Sequence, residues 1–127
     1  MKTTSVLPLL VQSCLLTGSA VASNMFFAGT YGGSIDTVSF DVTTGAFEKG
    51  QSNNESAPAP SWQEISHNGK FLYTIEETTA ADANKGALTT YSIGEDGKLT
   101  KVSSADGLVA PVSLGIHPDG DVVVTAN

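Results

Sequence analysis

The sequence predicts an all-β protein of the β-propeller class, on three observations. The segment from Pro60 to Thr74 recurs about 51 residues later, from Pro111 to Thr125. Each copy has a Pro, an Ile five positions on (Ile65, Ile116), a turn ending in Gly (Gly69, Gly120) and then an apolar run. Short segments of alternating polarity, separated by Gly-containing turns, fill most of the remaining chain. No window carries an apolar helical period with caps at its ends. Short strands at regular spacing fit a sandwich, a barrel or a propeller; an internal repeat of about 50 residues selects the propeller, whose blades recur at that period.

Taken in order, the chain opens on a segment to be set apart from the fold. Lys2 supplies a short positive start, residues 6–16 are mainly apolar, and Ala20-Val21-Ala22 is a small-residue cleavage signal. This is the layout of a secretory signal peptide cleaved between Ala22 and Ser23. The apolar run falls short of the roughly 20 residues a membrane span needs. The expected domains are therefore a leader over 1–22 and a partial propeller over 23–127, secreted, with no membrane attachment after cleavage.

Strands are expected over 25–30, 34–42, 46–51, 63–66, 71–76, 87–93, 99–103, 113–116 and 122–126. Residues 35–41 and 88–94 begin two matching hairpins, whose turns close on Gly45 and Gly97; period two in the arms and Gly in the turn are the hairpin signal. Phe71-Leu72-Tyr73 and Val122-Val123-Val124 are apolar on both faces, as suits strands covered on both sides. Residues 78–85 are expected to form an exposed loop. The strands amount to about two blades of four-stranded antiparallel sheet, whereas a propeller closes with about four to eight. The expectation is an N-terminal portion of a larger ring, because two blades alone expose two broad sheet faces.

Composition limits the function classes. Net charge is −7, and the six basic residues are all lysines. That balance disfavours nucleic acid and anionic membranes as partners. Without arginine there is no bidentate grip for a carboxylate or phosphate. The one cysteine, Cys14, lies in the leader, so the mature chain forms no internal disulfide. Asn54-Glu55-Ser56 is an N-glycosylation sequon in a polar stretch.

Metal and nucleophile motifs are not found. Residues 82–86 echo the start of a calcium loop, but Ile93 stands where the closing Glu belongs. There is no nucleophile elbow, no phosphate-binding glycine loop, and two scattered histidines do not make a zinc motif. No metal and no cofactor are expected. His67 and His117 both fall in the repeat's turns and are assigned an architectural role, since such turns select Asn, Asp, Gly and Pro for backbone reasons. Glu76 and Glu77 end a strand, where a carboxylate facing a central channel can act as a general base.

Phe27-Ala28-Gly29-Thr30-Tyr31-Gly32-Gly33, followed by Val38-Ser39-Phe40-Asp41 and Thr44-Gly45-Ala46, resembles the opening of the lactonase family of seven-bladed propellers. That family includes propeller-type 6-phosphogluconolactonases and fungal carboxy-cis,cis-muconate cyclases. Pro60-Ser61-Trp62 with Asn68-Gly69-Lys70-Phe71-Leu72-Tyr73 and Glu77 resembles its first blade-to-blade segment, and Pro118-Asp119-Gly120 with Val124-Thr125-Ala126-Asn127 its second. The resemblance implies a lactone hydrolase or a lactone-forming cycloisomerase acting on a small lactone or carboxylate, monomeric when full length. It singles out Glu77 as a candidate catalytic residue. It also singles out Ser113, which stands where many relatives carry a His. The alternatives are a secreted propeller that binds carbohydrate or protein without chemistry, and an inactive fragment.

Overall fold

The structure is a computed structural model that describes residues 24–54, 59–77 and 86–126. The leader expected over 1–22, with its Ala22/Ser23 junction, and the loop expected over 78–85 lie outside the described residues.

Nine strands follow one another: β1 (Asn24–Thr30), β2 (Ser34–Phe40), β3 (Phe47–Asn53), β4 (Pro60–Ile65), β5 (Phe71–Glu76), β6 (Gly86–Ile93), β7 (Leu99–Leu108), β8 (Ser113–Ile116) and β9 (Val123–Ala126). They correspond one to one with the strands expected from the alternation; β7 runs five residues further than its polarity pattern suggests, because its exposed outer face carries no apolar repeat to mark its end. All ladders are antiparallel. Among the described residues no helix is long and apolar enough to cross a membrane.

The strands form three sheets, ordered β1-β2-β3, β4-β5-β6-β7 and β8-β9. One four-stranded blade is thus complete, and the other five strands are divided between its two neighbours. The sequence repeat is out of phase with the blades. Its hairpin half (β2-β3, then β6-β7) closes one sheet, and its Pro-led half (β4-β5, then β8-β9) opens the next. By this correspondence β1 matches β5, so the first sheet contains the equivalents of β5, β6 and β7.

Strand β4 lies against β1 on one side and β8 on the other. It is therefore the innermost strand of its blade, and β7 the outermost. The burial patterns agree with this order. Strand β5 is buried at Leu72, Thr74, Ile75 and Glu76, whereas β7 is exposed over most of its length. An exposed edge invites pairing with other chains; here Lys101, Asp106 and two register shifts between β6 and β7 interrupt it.

The main core joins the first two sheets. Ile35 from β2 packs with Leu72, Tyr91 and Leu99 of the second sheet, flanked by Phe27 and Ile93. The inner approach of these sheets depends on Gly29, where a Cβ would strike the Pro60 carbonyl and the Gln63 amide. Three hydrogen bonds tie the outer parts together. Thr37 Oγ1 donates to the Gly97 carbonyl (3.1 Å), Gln51 Nε2 to Asp96 (3.2 Å) and Asn53 Nδ2 to the Leu99 carbonyl (3.4 Å).

The two Pro-led copies close alike. Gly69 N donates to the Ser66 carbonyl (2.8 Å) and Gly120 N to the His117 carbonyl (2.7 Å). Both glycines have positive φ, +71° and +78°, a conformation L side chains resist. Although both histidines fall in the repeat's turns, they are not equivalent: His117 corresponds to Ser66, and its Nδ1 accepts the Asp119 N–H (3.3 Å), much as Ser66 Oγ accepts the Phe71 N–H (2.9 Å).

Candidate functional site

The sheets have two functional ends. Strand β5 runs six residues from the His67 turn to Glu76, about 20 Å at 3.3 Å per residue. His67, His117 and the β6–β7 turn lie at one end. Glu77, Tyr31, the start of β4 and Ser113 lie at the other. No histidine of the described residues therefore reaches Glu77 or Ser113.

Glu77 follows β5 and is half-buried. Its backbone N–H donates to the Ala59 carbonyl (2.9 Å), which extends the β4–β5 ladder by one rung. Its carboxylate accepts a hydrogen bond from the Tyr31 hydroxyl at 3.4 Å. Tyr31 projects from the tight β1–β2 turn, closed by Gly33 N on the Thr30 carbonyl (3.0 Å) and by the Thr30 and Ser34 hydroxyls at 2.9 Å. With 79% of its surface exposed, Tyr31 is held chiefly by this turn, and the long hydrogen bond leaves the Glu77 carboxylate with acceptor capacity to spare. Glu76, by contrast, is 1% exposed and points into the sheet packing opposite Pro60.

Ser113 opens β8, half-buried, opposite Ala126 in the ladder. The structure brings it to the same end as Glu77, without a hydrogen bond between them. At this end too the backbone is strained in both repeats. Ala59 (φ +61°) and Ala110 (φ +41°) are the two non-glycine residues with positive φ among the described residues, and each precedes a proline. Such conformations cost about 1–3 kcal/mol each and persist where surrounding contacts impose them. Pro111 supplies one such contact: it is fully buried against Gly86, where a Cβ would collide with the proline ring. The strain marks the points at which the chain crosses from one sheet to the next.

The chemistry available is that of a carboxylate at the rim of the inner strands, oriented by a phenol. It can accept hydrogen bonds from hydroxyl groups or take a proton from water. Cations are lacking here among the described residues. Lys70 and Lys98 lie at the opposite end, Lys101 on the outermost strand, and Lys49 is engaged by Asp36 at 2.7 Å.

Asn54 is exposed just after β3, an accessible position for a glycan, while Glu55 and Ser56 of the sequon lie outside the described residues. Asn54 also borders an open cleft of about 470 Å³ between β3 and the β6–β7 hairpin. The polar groups of that cleft make the sheet-to-sheet hydrogen bonds described above, and it lies on the outer flank away from Glu77.

One cluster went unnoticed in the sequence. His117, Asp119 and Asp121 bring their donor atoms within 4.8 Å of one another, all on an exposed turn and spaced two residues apart. They are the described residues best able to hold a cation. The missed partner at the Glu77 end is Tyr31. It sits inside the motif used for the family resemblance, but nothing in the sequence joins it to a glutamate 46 positions away.

Asp36 has a structural part. Its carboxylate accepts hydrogen bonds from Lys49 and from Ser52 Oγ (2.6 Å). These bonds, that to Lys49 foremost, hold its carboxyl below the ordinary aspartate value of 3.8. A depressed folded-state pKa stabilises the fold above 3.8, and the stabilisation disappears as pH falls through the lowered value. The Asp36→Asn variant is therefore expected to show a shallower loss of stability below pH 4 than the parent, measured by amide exchange in β2 and β3 against pH. An unchanged acid limb would remove Asp36 from this part.

Residues 25–127 match the family described as Lactonase, 7-bladed beta-propeller. Across all 127 residues the chain is 50% identical to an Arthroderma benhamiae protein that carries the provisional name 6-phosphogluconolactonase, and it spans 31% of that protein's length. A Bacteroides fragilis crystal structure with the same provisional name aligns with a TM-score of 0.71 at 25% identity, over 86% of this chain and 31% of that one. A periplasmic gluconolactonase from Pseudomonas aeruginosa aligns at 0.70 and 23% identity, over 81% of this chain and 30% of that one, a likeness of fold alone.

Proposed function

The chain belongs to the lactonase family of seven-bladed β-propellers, and from that premise we propose that it is part of a secreted enzyme that opens a sugar lactone. The observation that carries this reading is the 50% identity, along the whole chain, to a relative provisionally named for that reaction. The Glu77–Tyr31 pair supplies suitable chemistry at the inner end of the sheets. In the proposed step Glu77 accepts a proton from water as the water oxygen attacks the lactone carbonyl. The ring C–O bond then breaks, and the released alkoxide takes the proton to leave a hydroxy acid. Tyr31 holds the carboxylate in place through its hydroxyl.

The lactone-forming reaction of the muconate-cyclase type is the second reading. It starts from a carboxylate-rich substrate that calls for cations, and the described residues offer none at this end. A neutral lactone ring suits the site better. A phosphate on the sugar would need cations from elsewhere.

Secretion is part of the proposal and rests on Lys2, the apolar run over 6–16 and Ala20-Val21-Ala22. The test is to express the chain from Met1 in a secreting fungal host, together with the product of any reading frame that continues past Asn127. The expected result is hydrolysis of glucono-1,5-lactone or its 6-phosphate above the spontaneous rate in the medium, from a product that begins at Ser23 and carries a glycan on Asn54. A longer product that folds and hydrolyses neither lactone would refute the lactonase reading.

A further inference from the structure

Trp62 is the chain's single tryptophan, and it lies 44% exposed on β4. Of the exposed valines, Val102 lies on the outermost strand and Val124 on the third sheet, and the others lie outside the strands. Trp62 differs from them. It belongs to the one complete sheet, on an inner strand flanked on both sides, and still presents much of its ring to solvent. A tryptophan carries one of the largest apolar payloads of any side chain and normally buries most of it.

Its surroundings combine apolar and polar groups. Trp62 pairs with Ile75 and Glu64 with Tyr73 in the β4–β5 ladder. Two residues apart, they share a face of the strand. The indole Nε1 donates to Glu64 Oε1 at 3.5 Å, long enough to leave the half-buried carboxylate most of its acceptor capacity. Gln63, on the opposite face, is committed to the Pro60 carbonyl at 2.9 Å. One repeat later the positions of Trp62 and Glu64 are held by Ser113 and Gly115, so the neighbouring inner strand carries no bulky group at these positions. Since Trp62 faces Ile75, it lies about 7 Å along the strand from Glu77.

We infer that Trp62 and Glu64 form a saccharide subsite, in which the indole stacks on the C–H face of a pyranose ring and the Glu64 carboxylate accepts its hydroxyl groups. An aromatic surface beside a few fixed polar groups is the usual make-up of a small-molecule site. The inference deepens the lactonase reading, on which it rests for the kind of ring. It assigns the holding of the sugar to Trp62 and Glu64, and the reaction to Glu77.

The probe is methyl glucopyranoside, a neutral pyranose without a lactone to open, titrated into the full chain while emission from the single tryptophan is followed. A saturable change in emission is expected. By calorimetry, Trp62→Ala is expected to lower affinity at least tenfold and the isosteric Glu64→Gln about fivefold, with Trp62→Phe in between. Circular dichroism of Trp62→Phe and Glu64→Gln should match the parent, since both positions border solvent. No saturable change, equal affinity in Trp62→Ala, or binding of tetramethylammonium in place of the sugar would overturn the subsite. The two readings fail separately. Lactone hydrolysis with KM unchanged in Trp62→Phe would sink the subsite alone, and sugar binding through Trp62 without hydrolysis would sink the lactonase reading alone.

Discussion

Replacing Leu72 with alanine is expected to destabilise the junction of the first two sheets by about 2–5 kcal/mol, the usual range for a buried leucine that leaves a cavity. Leu72 is 1% exposed and packs with Ile35 from the neighbouring sheet as well as with Tyr91 and Leu99 of its own. Its loss removes apolar contact between the blades and within one of them. Native-state hydrogen exchange reads the effect strand by strand. Amides of β5 and β6 should exchange at least about 30-fold faster, which corresponds to the lower bound of that range. Val124→Ala serves as the comparison. Val124 is 59% exposed on β9, and surface substitutions of that kind usually stay within about 0.5 kcal/mol. Equal protection in the two variants would mean that the core joining the sheets lies elsewhere.

Replacing Glu77 with glutamine is expected to lower kcat for lactone hydrolysis by about 10²–10⁴-fold, the contribution of a positioned general base. Glutamine keeps the size of the side chain and an acceptor for Tyr31 but cannot take a proton. KM should change little, because the ring is held by other groups. Tyr31→Phe should cost far less, since at 3.4 Å the phenol only orients the carboxylate. The experiment compares kcat and its pH profile for the parent and both variants. Activity of Glu77→Gln within twofold of the parent would take the base away from Glu77.

How far this was legible beforehand varies by element. The strands from β1 to β9 could be read because alternation and turn chemistry are local properties: Ile35 and Thr37 alternate with their neighbours wherever the strand is placed. The phase of the blades was not legible. The same repeat can be divided into sheets at more than one point, and only the ladder joining Tyr73 to Thr90 shows that β5 pairs forward with β6. Glu77 could be singled out by resemblance, and the structure adds Tyr31 as its partner. The His117, Asp119 and Asp121 cluster follows a simple alternation in sequence. It escaped notice because a turn, not a strand, folds the three side chains to one side.

By itself the sequence determined the all-β class, the order of the strands, the turns that close on Gly69 and Gly120, and the family. Each depends on residues a few positions apart or on a repeated pattern along the chain. The tertiary structure decided which strands share a sheet, that Ile35 meets Leu72, that Tyr31 meets Glu77, and that both histidines lie at the opposite end of the strands from that carboxylate. Those outcomes depend on contacts such as Thr37 with Gly97, 60 positions apart. Such contacts follow from how three twisted sheets pack around their inner strands, which no local pattern encodes.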